Sequence, residues 1–229
     1  MATEAESVIR DSRWERWAPI SGVVFVVLFI VGFSLLNMPD TDDPLPKIKA
    51  FYDDGGNRAQ MLIAGYLLVL SGVFFYWFLA SLRSRLLAVE GMPGRLTFIA
   101  SAAGVGFIAM LTVGAMCFVF IAGEITFGDV HHISPELMRV MPDLGFPILL
   151  VGGMFSAIAM IDAASVVIVR TGILPKWIGW FGFVAAVGLL FAGFFIPVIL
   201  LLLWVLFVSV ALLRSKGVQL TEPRPGLAP

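Results

Sequence analysis

Long apolar runs separated by short polar segments dominate the chain and predict membrane-spanning helices. A helix that crosses a bilayer requires roughly 20 mostly apolar residues. Six runs meet this requirement: residues 17–37, 59–82, 96–123, 144–169, 177–194 and 195–213. The pattern therefore predicts an all-α membrane protein with six transmembrane helices in three hairpins.

The boundary between the fifth and sixth predicted spans lies inside one continuous apolar stretch. Gly193 and Pro197 mark the predicted turn, because glycine adopts unusual backbone angles and proline lacks a backbone donor. The alternative is a single long kinked helix, which gives five spans and places the carboxyl terminus outside.

The positions of lysine and arginine predict the orientation. Successive loops lie on alternate sides of the membrane, and one side has eleven of these residues whereas the other has four. The side richer in lysine and arginine is cytoplasmic in membrane proteins. The eleven are Arg10, Arg13, Arg16, Arg83, Arg85, Arg95, Arg170, Lys176, Arg214, Lys216 and Arg224, and the four are Lys47, Lys49, Arg58 and Arg139. We therefore predict a cytoplasmic segment over residues 1–16, a six-helix domain over 17–213 and a disordered cytoplasmic tail over 214–229.

Composition agrees with a membrane location. Hydrophobic residues make up 59% of the chain and charged residues 14%, whereas soluble domains have about 25% charged residues. The net charge of −1 argues against nucleic acid as a partner. The apolar composition makes the lipid bilayer the expected partner. The single cysteine, Cys117, excludes an intramolecular disulfide and is interpreted as a packing residue. No cofactor is predicted.

Two outer loops carry further structure. In the first, a short surface helix is expected over residues 45–54, with Ile48, Phe51 and Tyr52 facing the membrane and Gly55-Gly56 ending it. In the second, Ser134 and Pro135 predict a helix start, since serine caps and proline suits the first turn.

Asp162 is the one ionisable residue deep inside a predicted span. An aspartate at the centre of a spanning helix costs about 2.5–3.5 kcal/mol on insertion scales, and such residues usually face a bundle interior or a wet cavity. One interpretation is a proton or ion relay that includes Ser165 and Ser101. The other is a structural hydrogen bond to Ser101 or Thr97 on the third span.

A weaker polar cluster lies in the second outer loop. Its members are Glu124, Asp129, His131, His132 and Glu136. Imidazole and carboxylate groups bind zinc, but adjacent histidines point in different directions and the HExxH spacing is absent. Solvated loop residues are the favoured interpretation, and neither a metal site nor a catalytic motif is predicted.

Small residues recur in the third and fourth predicted spans and indicate close helix packing. They are Gly104, Gly106, Gly114, Gly152, Gly153, Ser156 and Ala157. The pattern leaves packing within the chain and dimerisation as open alternatives.

Several segments together carry a resemblance. They are RWAP (16–19), PKIKAFY (46–52), SPEL (134–137), TGILPKWIGW (171–180) and WVLFVSVALLR (204–214). In this order they resemble a group of uncharacterised multi-span membrane proteins common in actinobacteria. The resemblance implies a multi-pass protein of the bacterial plasma (inner) membrane and implies no activity or catalytic residue.

These observations favour a non-enzymatic membrane protein of unknown role, with homo-oligomerisation or an accessory role in a membrane complex left open. The first alternative is a small proton-coupled transporter or channel that uses Asp162. The second is a membrane enzyme that acts on lipid with an outer-face polar site.

Overall fold

Helices account for every secondary-structure element in the described part of the chain. The computed structural model describes residues 19–40, 42–128, 133–191 and 197–214. The elements are α1 (Ile20–Leu35), α2 (Leu45–Asp53), α3 (Gly55–Glu90), α4 (Arg95–Phe127), α5 (Pro135–Pro147), a π-helical segment (Ile148–Gly153), α6 (Met154–Thr171), α7 (Lys176–Leu189) and α8 (Val198–Arg214). The all-α prediction is confirmed for these residues.

Three of the helical stretches are long and apolar enough to cross a membrane, namely Gly55–Glu90, Arg95–Phe127 and Pro135–Thr171. Helices α1, α7 and α8 are shorter and equally apolar in character. The last apolar run forms two helices, α7 and α8, that pack against each other. Of the two residues predicted to form the turn, Pro197 lies just before α8, and Gly193 lies outside the described residues.

Six helices pack in a closed ring that follows the order of the chain. Each of α1, α3, α4, α6, α7 and α8 contacts the next, and α8 returns to α1. Aromatic rings fill the centre: the ring centroid of Phe25 lies 4.7 Å from that of Phe75 and 6.2 Å from that of Phe107. The described helices therefore form a bundle with one apolar core.

The small residues of the third and fourth predicted spans pack within the chain. Gly104 lies against Leu79 of α3 and Met160 of α6, and Gly106 lies against Ser156. Gly152 and Gly153 both approach Met110 of α4. Contacts between helices of one chain therefore account for this pattern without a second copy.

The helix that contains the fourth predicted span begins earlier than expected. It starts at Pro135 instead of residue 144 and runs through Pro142 and Pro147 to Thr171. A proline inside an α-helix removes one hydrogen bond and crowds the preceding turn. The π-helical segment Ile148–Gly153 follows Pro147 directly, and its wider turns keep the chain helical where an α-helix would break.

The two predicted outer loops meet in a small subdomain, here called the cap, formed by residues 45–61, 121–128 and 133–141. Helix α2 contacts α3, α4 and α5 there. Ile48 and Tyr52 are buried against Met61 and Ile121. The expectation that Ile48, Phe51 and Tyr52 face the membrane is therefore wrong, because the apolar side of α2 is covered by the protein's own helices.

Candidate functional site

Hydrogen bonds to backbone carbonyls hold the cap together. The guanidinium of Arg58 donates through Nη1 to the carbonyls of Tyr52 (2.6 Å) and Asp53 (2.9 Å), which closes the carboxyl end of α2. Arg139 Nη2 donates to the Asp43 carbonyl at 2.8 Å. Basic side chains suit the carboxyl end of a helix, where carbonyl groups lack partners. These bonds join the first outer loop to α3 and α5.

The boundary between α2 and α3 differs from the predicted one. Gly55 and Gly56 begin α3 instead of ending α2. Asp54 separates the two helices, and its Oδ1 accepts a hydrogen bond from Asn57 N at 2.8 Å. The side chain therefore caps α3, as aspartate commonly does. At the other predicted start, Ser134 Oγ accepts from Leu137 N at 3.2 Å, which confirms Ser134 as the cap of α5.

A cavity of about 1040 Å³ opens between α2 and the ends of α4 and α5. Its lining residues are Leu45, Pro46, Ile48, Lys49, Asp53, Ile125, Gly128, Ile133, Ser134, Pro135 and Met138. Ligand sites in proteins are typically concave, mostly apolar and about 300–1,000 Å³ in volume, with a few polar groups. The cap cavity lies near the upper end of that volume range, and its lining combines apolar side chains with polar surface, including the charged groups of Lys49 and Asp53.

Tyr52 places a polar atom in the apolar core of the cap. Its side chain is fully buried, and its hydroxyl has no hydrogen-bond partner among the described residues. Burial raises the pKa of Tyr52 to about 12, because the phenolate would be poorly solvated there. A buried hydroxyl without a partner is expected to destabilise the cap.

Replacement of Tyr52 by phenylalanine is expected to stabilise the protein. An unsatisfied buried hydroxyl costs about 1–3 kcal/mol, so Tyr52→Phe should raise the melting temperature at pH 7. The raised pKa also means that wild type loses stability as the pH rises from the unfolded value of 10 towards 12, and the variant lacks that loss. Thermal melts in detergent from pH 7 to 11 would measure both effects. A lower melting temperature for Tyr52→Phe would show that the hydroxyl has a partner.

The predicted outer-face polar cluster is described only in part. Glu124 is half-buried near the end of α4, and Glu136 is exposed in the first turn of α5. Asp129, His131 and His132 lie outside the described residues. Among the residues that are described, no group of three His, Cys, Asp or Glu side chains could hold a metal ion.

The three residues of the predicted relay are not joined by hydrogen bonds. Ser101 Oγ donates to the Thr97 carbonyl on its own helix at 2.7 Å. Ser165 Oγ is buried next to Gly182 and Trp204 and has no hydrogen-bond partner in the part of the chain that the structure describes. Asp162 forms no hydrogen bond or ion pair with a described residue. The structural hydrogen bond to Ser101 or Thr97 is also not formed, and Thr97 Oγ1 instead donates to Glu90.

The position of Asp162 on α6 differs from that of a bundle-interior residue. Asp162 is half-buried and lies between the exposed residues Phe155 and Ala159 on one side and half-buried Val166 on the other. The opposite face of α6, which includes Ile161 and Ala164, is fully buried. Asp162 therefore lies on the outward face of the bundle.

The sequence did not single out Glu90, which organises the turn between α3 and α4. Its carboxylate accepts hydrogen bonds from Leu96 N (2.8 Å), Thr97 N (2.8 Å) and Thr97 Oγ1 (2.6 Å). These amides belong to the first turn of α4, where backbone donors lack partners within the helix. Partial burial opposes ionisation, but the three hydrogen bonds outweigh it and hold the pKa of Glu90 below its ordinary value of 4.5. A glutamate five residues before the start of α4 is the only local signal for this contact.

No protein-family model, curated protein or solved structure matches the chain.

Proposed function

We propose that this chain is a multi-pass protein of the bacterial plasma membrane, with six spans and both termini in the cytoplasm, that binds an amphipathic molecule in its cap cavity without catalysis. Large apolar side chains exposed on every ring helix support the membrane assignment, since soluble monomers rarely expose such continuous apolar surface. Examples are Ile30, Tyr66, Phe98, Val184 and Ile199, which are 52–71% exposed.

The cap cavity is the observation that carries the binding role. One wall is α2, on which Leu45, Lys49 and Asp53 follow at intervals of four residues, or about 6 Å along the helix. No ion pair joins Lys49 to Asp53. The ammonium group can therefore bind a phosphate and the carboxylate can bind an amine. We infer that a zwitterionic head group lies along this wall.

The remaining lining suits an apolar tail. Ile125, Ile133 and Met138 form the wall opposite α2, and methionine adapts to irregular apolar ligands. Among the described lining residues, the only hydroxyl group is that of Ser134, which already accepts the capping hydrogen bond of α5. Glu124 and Glu136 are not lining residues. This arrangement favours binding over hydrolysis of a lipid.

Filling the cavity tests the proposal. Leu45→Trp adds a large ring to the cavity wall at a half-exposed position of α2, so it should weaken binding at least several-fold without loss of fold. The probe is a fluorescent single-chain phosphoethanolamine amphiphile, titrated into the purified full-length protein in detergent. Fluorescence anisotropy reports the affinity.

A matched control lies on the same helix. Ala50 is exposed and does not line the cavity, so Ala50→Trp adds the same ring outside it and should bind the probe like wild type. Equal affinity for wild type, Leu45→Trp and Ala50→Trp would overturn the binding role. If Lys49→Gln and Asp53→Asn, each tested as a single variant, also bind the probe more weakly than wild type, the result supports the zwitterionic head group as well.

A further inference from the structure

The outward face of α6 carries one ionisable side chain, that of Asp162, among apolar ones. Phe155, which is 57% exposed, is the first of four exposed or half-buried residues on this face. They follow one another at intervals of four, three and four residues, which places them on one side of a helix. This surface, here called the α6 stripe, consists of Phe155, Ala159, Asp162 and Val166. Helices α4 and α7 pack against α6, and the fully buried residues of α6, which include Ile161 and Ala164, lie away from this surface.

Asp162 is costly in this position. It lies eight residues before Arg170, or about 12 Å along the helix, and therefore well inside the predicted span. Intramembrane carboxylates usually pair with another group. Asp162 has no partner among the described residues, and none of the six predicted spans contains a lysine or arginine. A second copy of this chain therefore offers no cation at that depth.

We propose that the α6 stripe docks a membrane-spanning helix of a different protein, which carries a lysine or arginine at the depth of Asp162. The cation and the carboxylate pair across the contact and so remove the cost of an isolated charge. Ala159, one turn away, has a small side chain that lets a second helix approach closely. The inference rests on the membrane-spanning part of the proposed function and is independent of the cap cavity.

Energy transfer in liposomes tests this pairing with a defined probe. The full-length protein is reconstituted in phosphatidylcholine liposomes with a synthetic leucine-alanine membrane helix that has one central lysine, no tryptophan and a dansyl acceptor. Tryptophan-to-dansyl transfer from wild type should be several-fold higher than transfer to the same helix with leucine in place of the lysine. Asp162→Asn should reduce transfer to the level of the leucine helix, and Asp162→Glu should retain it.

Asp42→Asn removes one exposed carboxylate from the loop before α2 and leaves the α6 stripe intact, so it should transfer like wild type. Equal transfer to the lysine and leucine helices, or full transfer in Asp162→Asn, overturns the pairing. Preference for a helix with a central glutamate overturns it too, since two carboxyl groups would then share a proton. Flotation with carbonate-washed liposomes is measured first, because failure of wild type to insert would overturn the proposed function itself. Circular dichroism of each variant shows that it folds.

Discussion

Gly182→Ala is expected to lower the stability of the bundle by about 1–3 kcal/mol, the usual range for overpacking in a close-packed core. A methyl group at Gly182 of α7 would overlap Ser165 Oγ and lie 2.7 Å from Trp204 Nε1. Both of these side chains are fully buried. For a chain of this size the loss corresponds to about 2–12 °C in melting temperature, measured in detergent.

Two further variants separate the overlap from the loss of a glycine. At Gly123 of α4 the nearest atom to an added methyl group lies 4.0 Å away, so Gly123→Ala should leave the melting temperature unchanged or raise it. Adding Ser165→Ala to Gly182→Ala removes the overlapping oxygen and should restore part of the stability. If Gly182→Ala melted like Gly123→Ala, the contact of α6, α7 and α8 at this point would be refuted.

The sequence predicted the apolar helices because a long apolar run is a local property. It also identified Ser134 as a cap, since that signal lies within four residues. It did not predict the contact of Gly182 with Ser165 and Trp204, which come from three helices. Such contacts depend on how the six helices of the ring are arranged, and no local sequence pattern predicts that arrangement.

The amphipathic pattern of α2 predicted one apolar face correctly but not what covers it. Ile48 and Tyr52 pack on α3 and α4 instead of lipid. An apolar helix face has a period of 3.6 residues whether lipid or protein covers it, so the pattern cannot distinguish the two. The cap cavity results from this docking of α2, so no local sequence pattern predicted it. The sequence identified Asp162 because it is the one ionisable residue deep inside a predicted span. It did not predict that Asp162 lies on the outward face of α6, because apolar residues surround it on every face of that helix.

The turn between α3 and α4 is expected to depend on one carboxylate. Glu90→Ala removes the acceptor for two amides at the start of α4 and for the buried hydroxyl of Thr97. It should lower the free energy of unfolding by about 0.5–2 kcal/mol, as loss of a helix cap does. Because the pKa of Glu90 is lowered on folding, its contribution is present above the unfolded value near 4.5 and is lost as the pH falls through the folded value. Thermal melts of wild type and Glu90→Gln from pH 3 to 7 should therefore converge at the acid end.

Thr97 provides the matched control for this turn. Thr97→Ser keeps the hydroxyl donor and should melt close to wild type, whereas Thr97→Val removes it and should reproduce part of the Glu90→Ala loss. In the double variant the two losses should not add, since both remove the same hydrogen bond. Fully additive losses, or a constant gap between wild type and Glu90→Gln down to pH 3, would show that Glu90 acts away from α4. The carboxylate would then have no part in fixing the angle at which α4 enters the ring, and the close approach of Gly104 to Leu79 and Met160 would have to set that angle alone.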